Sequence, residues 1–180
     1  MLVNRCWIEM SMLYAAYGSN LHPFRLQQRT PSAQFVGTGI IAHHTLRFHK
    51  RGYRDFSGKC NLVSQIEDVA YVAIYDVPAR ELNLLDKAEG AGAGYDRTTI
   101  KVDDFGDCVI YLAAFEHIDE SLVPFCWYRA LVVAGCEQLA FPAEYIERIR
   151  AVEAVQDKVG DRRNFHLNLV RQCREFDELP

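Results

Sequence analysis

Hydrophobic positions cluster or alternate in the manner of strands through the first part of the chain and take up helical spacing later. Met12 to Tyr17 is a short apolar run stopped at Gly18-Ser19-Asn20, which predicts a buried strand ending in a turn. HPFRLQQR follows, with Phe24 and Leu26 near one face, and Thr30-Pro31 ends it because the residue before proline avoids the helical region. From Ala33 to Tyr75 the pattern is β, in four segments separated by turn residues: QFVGTGIIA, TLRFHK, CNLVSQI and VAYVAIYDV. Pro78 to about Lys87 reads as a helix with proline at its first position and Leu82, Leu85 and Ala88 on one side, stopped by the glycine-rich run Gly90 to Gly94. YDRTTIKV and CVIYLAAF are two further strands, hinged at Asp103 to Asp107. Three helices are predicted after them, from Ser121 or Pro124 to Ala134, from Pro142 to Val155 and from Arg163 to Phe176.

This order of elements predicts an α+β fold of five to seven strands, most simply a small closed or nearly closed sheet with helices around it. The length of 180 residues and a hydrophobic content of 49% suit one packed domain. A net charge of -4 offers no reason to expect nucleic acid or an anionic membrane as a partner. The six cysteines, Cys6, Cys60, Cys108, Cys126, Cys136 and Cys173, include no C-x-x-C pair and read as reduced thiols, several in the core, of a cytoplasmic protein. Arg5 and Glu9 interrupt the leading residues, so no signal-like stretch is predicted, and no run reaches the roughly 20 apolar residues of a membrane span.

Two places carry candidate chemistry. The Gly18-Ser19-Asn20 turn, set between a strand and a helix, exposes backbone amides beside a hydroxyl and a side-chain amide, which suits a carboxylate or phosphate. Alternatively, Gly18 supplies an unusual backbone angle and Ser19 or Asn20 merely caps the helix. Glu89 ends a helix directly before three alternating glycines, where the backbone can come close to a ligand, a fitting place for a general base. It could equally be a solvated helix-end residue beside Asp86 and Lys87. The basic stretch His43 to Arg54 reads as a solvated hairpin, His43 and His49 sharing a face and Tyr53 and Arg54 on the tip, with no metal-ligand spacing. Arg162 and Arg163 read as residues solubilising a helix start, and Cys126 as core packing. No G-x-S-x-G, Walker A, Rossmann or H-E-x-x-H motif occurs.

Taken together, Tyr17-Gly18-Ser19-Asn20-Leu21 and the later Leu85-Asp86-x-x-Glu89-Gly90-x-x-x-Gly94 resemble the γ-glutamylcyclotransferase family, the AIG2-like or cyclotransferase-like fold. The resemblance runs from about Met12 to Val155 and takes in WYRALVVAGC and FPAEYIERIRAVE. It implies a γ-glutamylcyclotransferase-like domain over 12–159, an N-terminal extension over 1–11 and a C-terminal helical tail over 160–180, and a small mixed β-barrel with flanking helices. It further implies that Tyr17, Gly18, Ser19, Asn20 and Leu21 hold the α-carboxylate and α-amine end of a γ-glutamyl group. Glu89 is then the general acid/base, Tyr128 an active-site tyrosine, and Arg97 and Asn61 pocket residues. The implied reaction closes the γ-glutamyl group to 5-oxoproline, releases an amine, and needs no metal or cofactor. The glutathione-specific branch carries leucine where this chain has Asn20, and better-known members have a residue between Gly94 and Tyr95. A non-catalytic binding protein on the same fold, and hydrolysis or transfer on another γ-glutamyl amide, are the competing readings. The tail's apolar residues Phe165, Leu167, Leu169, Val170 and Phe176 would dock on the domain or pair with a second copy as a homodimer.

Overall fold

The computed structural model describes residues 10–176, so Cys6 and most of the predicted N-terminal extension lie outside the described residues, as do 177–180. Among these residues five strands form one mixed sheet: β1 (Ser11–Ala16), β2 (Gln34–Arg51), β3 (Gly58–Pro78), β4 (Tyr95–Val102) and β5 (Gly106–Ala113), in the order β2-β3-β1-β5-β4. β1 runs antiparallel to β3 and parallel to β5, which places the end of the first strand in the middle of the sheet. β2 with β3 and β4 with β5 are antiparallel hairpins.

The four expected segments between Ala33 and Tyr75 fuse into the two long strands β2 and β3. What resembled a turn at His43 is a bulge: Ala42 pairs with Val69 and His44 with Ser64, and His43 takes a left-handed φ of 57°. The bulge also breaks side-chain alternation, so His43 is exposed whereas His49 is buried, and the two do not share a face. Tyr53 and Arg54 are exposed at the tip as expected, but the base of the hairpin is inward: His49 Nδ1 meets Glu120 Oε1 at 2.7 Å.

The sheet is open, so the expected barrel does not close. Its edge strands meet at one place, where the Asp103 amide donates to Ile40 O (3.2 Å). A Cβ on Gly39 would stand 2.4 Å from Val102 Cγ1, so glycine is what admits this approach. The sheet therefore curls round a core that includes Ile74, Tyr75, Ile110 and Leu131 without completing a ladder.

Among the described residues five α-helices accompany the sheet: α1 (Pro23–Gln27), α2 (Leu82–Glu89), α3 (Cys126–Gln138), α4 (Ala143–Arg150) and α5 (Gly160–Glu175). A 3-10 turn over Ala79–Glu81 precedes α2, which ends where Gly90 adopts φ 72°, the left-handed stop that glycine allows. α4 is shorter than its hydrophobic spacing predicts. The Arg129 guanidinium binds Arg150 O (2.9 Å) and Val152 O at its end, and Val155 turns away to pair with the Pro124–Cys126 segment. Cys126 opens α3 and is exposed, not packed in the core, whereas Cys60, Cys108, Cys136 and Cys173 are buried, unpaired thiols.

α5 packs back on α3. Leu169, Val170 and Cys173 are buried, Phe176 meets the rings of His22 and Phe24, and Phe165 and Leu167 remain exposed. Arg162 and Arg163 are not solubilising residues. Arg162 clamps the buried Asp157 through two hydrogen bonds of 2.6 and 2.7 Å, Arg163 donates to Asp157 O (3.1 Å), and Trp127 Nε1 donates to Asp157 Oδ2 (3.0 Å). These charged bonds hold the Asp157 carboxyl far below the ordinary aspartate range.

Candidate active site

β1 ends inside the sheet, so the turn that follows it opens into the molecule. Leu21 N donates to Gly18 O (3.0 Å), closing a turn over 18–21, and α1 begins only at Pro23 with His22 as its N-cap. Neither Ser19 nor Asn20 caps the helix. Gly18 does not take a left-handed angle either. Its role is room, because a Cβ there would stand 3.1 Å from Cys60 Cβ and 3.5 Å from Tyr128 Oη.

The turn forms one wall of a narrow, partly open pocket. Of the residues singled out in the sequence, Tyr17, Gly18, Ser19, Asn20, Glu89 and Tyr128 all line it. Leu21 does not. It is 1% exposed in the core, its carbonyl accepting from Tyr75 Oη (2.6 Å). Arg97 is bound to Asp86 at 2.8 Å outside the pocket lining, and the buried Asn61 bridges His49 Nε2 and the Ala113 amide. Both serve the frame around the site.

Glu89 is the carboxylate of the pocket lining, with a side chain 16% exposed. Its Oε1 accepts from Asn20 Nδ2 (2.5 Å) and from Arg29 Nη1 (3.3 Å), and the same Arg29 nitrogen donates to Asn20 Oδ1 (2.7 Å). The arginine thereby fixes which way round the Asn20 amide sits. Glu89 Oε2 has no hydrogen-bond partner among the described residues, leaving it available to a ligand.

The remaining wall is aromatic. Tyr14, Tyr95 and Tyr111 join Tyr17 and Tyr128, with the Cys60 thiol between them. Their phenols are tied down: Tyr17 donates to Tyr111 O, Tyr95 to Cys60 O (2.5 Å) and Tyr111 to Asp86 Oδ1 (2.7 Å). Tyr14 accepts from Asn20 Nδ2 (3.2 Å), and Tyr128 from the Cys60 amide (3.2 Å). Burial raises the pKa of every one of these phenols and pushes the Cys60 thiol up to about 12. They stay protonated at neutral pH and shape the pocket, which leaves proton traffic to Glu89.

Sequence reasoning missed Arg29, Tyr14, Tyr95, Tyr111 and Cys60. Arg29 looks like an ordinary basic residue after a short helix, and the tyrosines sit in strands where an aromatic is expected as core. No local signal distinguishes them. Among the described residues no three His, Cys, Asp or Glu side chains gather as a metal site, and no helix is long and apolar enough to cross a membrane.

Residues 69–149 match the model of the AIG2-like family, a span containing Glu89 and Tyr128 but not the 17–21 turn. Over 151 residues the chain is 28% identical to γ-glutamylcyclotransferase of Homo sapiens, the match covering 81% of this chain and 80% of the human one. It is 28% identical over 149 residues to γ-glutamylcyclotransferase of Mus musculus, covering 79% of each. A solved structure of a γ-glutamyl cyclotransferase superposes with a TM-score of 0.79 at 26% identity, over 91% of this chain and 99% of that one.

Proposed function

We propose that the chain, which matches the AIG2-like family model over 69–149 and is similar to γ-glutamylcyclotransferases, cyclises a γ-glutamyl amide or γ-glutamyl dipeptide to 5-oxoproline, with Glu89 as general acid/base. The observation that carries this reading is the meeting of Glu89, its Oε2 unengaged, with the Gly18–Asn20 turn in one aromatic pocket.

In this mechanism the turn holds the α-carboxylate and α-amine of the glutamyl group, folding the substrate so that its amine faces its own γ-carbonyl. Such an arrangement of reacting groups is worth on the order of 7 to 11 kcal/mol in well-oriented intramolecular reactions. Glu89 takes a proton from the amine as the new carbon–nitrogen bond forms. It returns that proton to the departing nitrogen as the old amide bond breaks. Backbone amides of the turn stabilise the oxyanion between the two steps. The tyrosines exclude water, which favours cyclisation over hydrolysis. The buried, unpaired cysteines support a reducing, cytoplasmic setting.

The test is mass-spectrometric detection of 5-oxoproline after incubating wild type and Glu89→Gln with γ-glutamyl dipeptides, γ-glutamyl amines and glutathione. Wild type releases 5-oxoproline, and Glu89→Gln loses roughly 10²- to 10⁴-fold in rate. Free glutamate as product would mean hydrolysis. Ligand binding without any product would leave a non-catalytic binding protein as the correct reading.

A further inference from the structure

Tyr14 carries a buried hydroxyl whose proton is uncommitted. Three of the five pocket phenols donate theirs to the frame, Tyr17 to Tyr111 O, Tyr95 to Cys60 O and Tyr111 to Asp86 Oδ1. Tyr128 has the Cys60 thiol as its side-chain partner. Tyr14 is 4% exposed and accepts one hydrogen bond, from Asn20 Nδ2 at 3.2 Å, but among the described residues it donates none. A buried donor without an acceptor is costly in a finished interior, and this one lines the pocket, where a ligand can supply the acceptor. The ring is also held fast. β1 is bonded on both sides, Tyr14 standing opposite Tyr75 of β3 and Val109 of β5, and its ring meets that of Tyr111 edge-on at 5.8 Å.

Asn20 sets where this donor stands. Its Nδ2 donates both to Tyr14 Oη and to Glu89 Oε1, so the phenol lies one amide group from the carboxylate, at the end of the pocket where the base works. Burial, with Glu89 adding to it, raises the Tyr14 pKa, so the hydroxyl keeps its proton and serves as a neutral donor rather than a second base. The pocket thus sets an unengaged acceptor, Glu89 Oε2, beside an unengaged donor, the Tyr14 hydroxyl.

We propose that Tyr14 is a further catalytic residue, donating a hydrogen bond to the γ-carbonyl oxygen of the bound glutamyl group and strengthening it as that oxygen becomes an oxyanion. This rests on the cyclotransfer reading above. As the amine nitrogen bonds to the γ-carbon, the carbonyl π pair moves onto oxygen and Glu89 takes the amine proton. When the carbonyl re-forms, the old carbon–nitrogen bond breaks and the Glu89 proton goes to the departing nitrogen. Tyr14 keeps its own proton throughout. A preorganised donor in a buried site acts mainly on the transition state, because the bond to a charged oxygen is stronger than the bond to a carbonyl.

The experiment measures 5-oxoproline release by wild type, Tyr14→Phe and chains carrying 3-fluorotyrosine at position 14, on the γ-glutamyl compound that wild type uses best. Tyr14→Phe lowers kcat by about 10²- to 10³-fold, while KM rises by no more than about 10-fold, the worth of one neutral hydrogen bond. The fluorinated phenol is a stronger donor and a weaker acceptor, so it raises kcat. A lower kcat with fluorotyrosine overturns the assignment, because it marks Tyr14 as no more than an acceptor that steadies Asn20. Full kcat in Tyr14→Phe overturns it as well. Infrared spectra of γ-glutamylalanine labelled with ¹³C at the γ-carbonyl, bound to Glu89→Gln chains in which turnover is blocked, read the contact directly. The carbonyl stretch moves to lower frequency on binding, and Tyr14→Phe reverses part of that shift. Should no compound yield 5-oxoproline, the cyclotransfer reading fails by itself. The infrared shift then decides Tyr14 separately: dependence on the hydroxyl supports the contact, and an unchanged stretch or no binding overturns it.

Discussion

Asn20 and Glu89, 69 positions apart in sequence, are joined by a hydrogen bond of 2.5 Å from Asn20 Nδ2 to Glu89 Oε1. One residue belongs to the turn after β1 and the other ends α2, so the bond ties the two halves of the candidate site together. Asn20 is 2% exposed and also reaches Tyr14 and Arg29, so no water can readily take its place. The orientation of the proposed acid/base thus depends on a side-chain amide in another element.

Asn20→Leu therefore removes a donor from Glu89 and an acceptor from Arg29 while keeping a similar volume. Unfolding in urea is expected to show a loss of about 1 to 3 kcal/mol, the cost of stranding buried polar partners. 5-Oxoproline release is expected to fall along with it. Full activity in a stable Asn20→Leu chain would show that Glu89 needs no positioning by the turn.

Gly135→Ala tests how the turn is anchored. In α3 alanine is favoured over glycine by up to about 1 kcal/mol, but here its Cβ would meet Leu21 Cβ at 2.5 Å and His22 N at 3.0 Å. Overpacking at about 1 to 3 kcal/mol outweighs the helical gain. The melting temperature should drop and KM rise, because Leu21 and His22 adjoin the turn proposed to hold the substrate. An increase in melting temperature would mean that the turn yields freely.

Acid should weaken the contact between α5 and the rest of the molecule before it affects the carboxylates. Burial lowers His22, and burial with Arg25 and Lys59 pushes His166, stacked 3.7 Å from Trp127, down to about 4. Both are below the unfolded value of about 6.5, so the unfolded chain binds protons first as pH falls. Stability conferred by the neutral rings is complete above about 6.5 and is lost progressively toward pH 4. Urea midpoints measured from pH 8 to pH 4 should decline over this window, and His166→Gln should flatten the decline. A pH-independent midpoint in the wild type would contradict the assignment.

Deleting the residues after Val159 removes the burial of Leu169 and Val170 and leaves Asp157 buried without Arg162. At about 1.5 to 3 kcal/mol for each side chain and about 3 to 5 kcal/mol for an uncompensated buried charge, the loss rivals the whole stability of an ordinary domain. Circular dichroism should show no cooperative melt for the shortened chain. A soluble chain with an unchanged melt would make the tail an appendage.

The local events of this protein are written in its sequence. The strand into Gly18-Ser19-Asn20, the helix ending at Glu89, and the glycine stop at Gly90 follow from side-chain spacing and from backbone angles that glycine alone adopts freely. The motif pair was legible for the same reason, since each half is local. Spacing shows which face of an element is buried, not what covers it. The union of Asn20, Arg29 and Glu89 and the retreat of Leu21 into the core beneath Tyr75 each depend on elements distant in the chain. So does the open sheet: bulges merged four predicted segments into two strands, and the β2 and β4 edges meet at Gly39 without forming a ladder. Those outcomes were decided by packing, because only the assembled sheet brings β1, β3, α2 and α3 around one pocket.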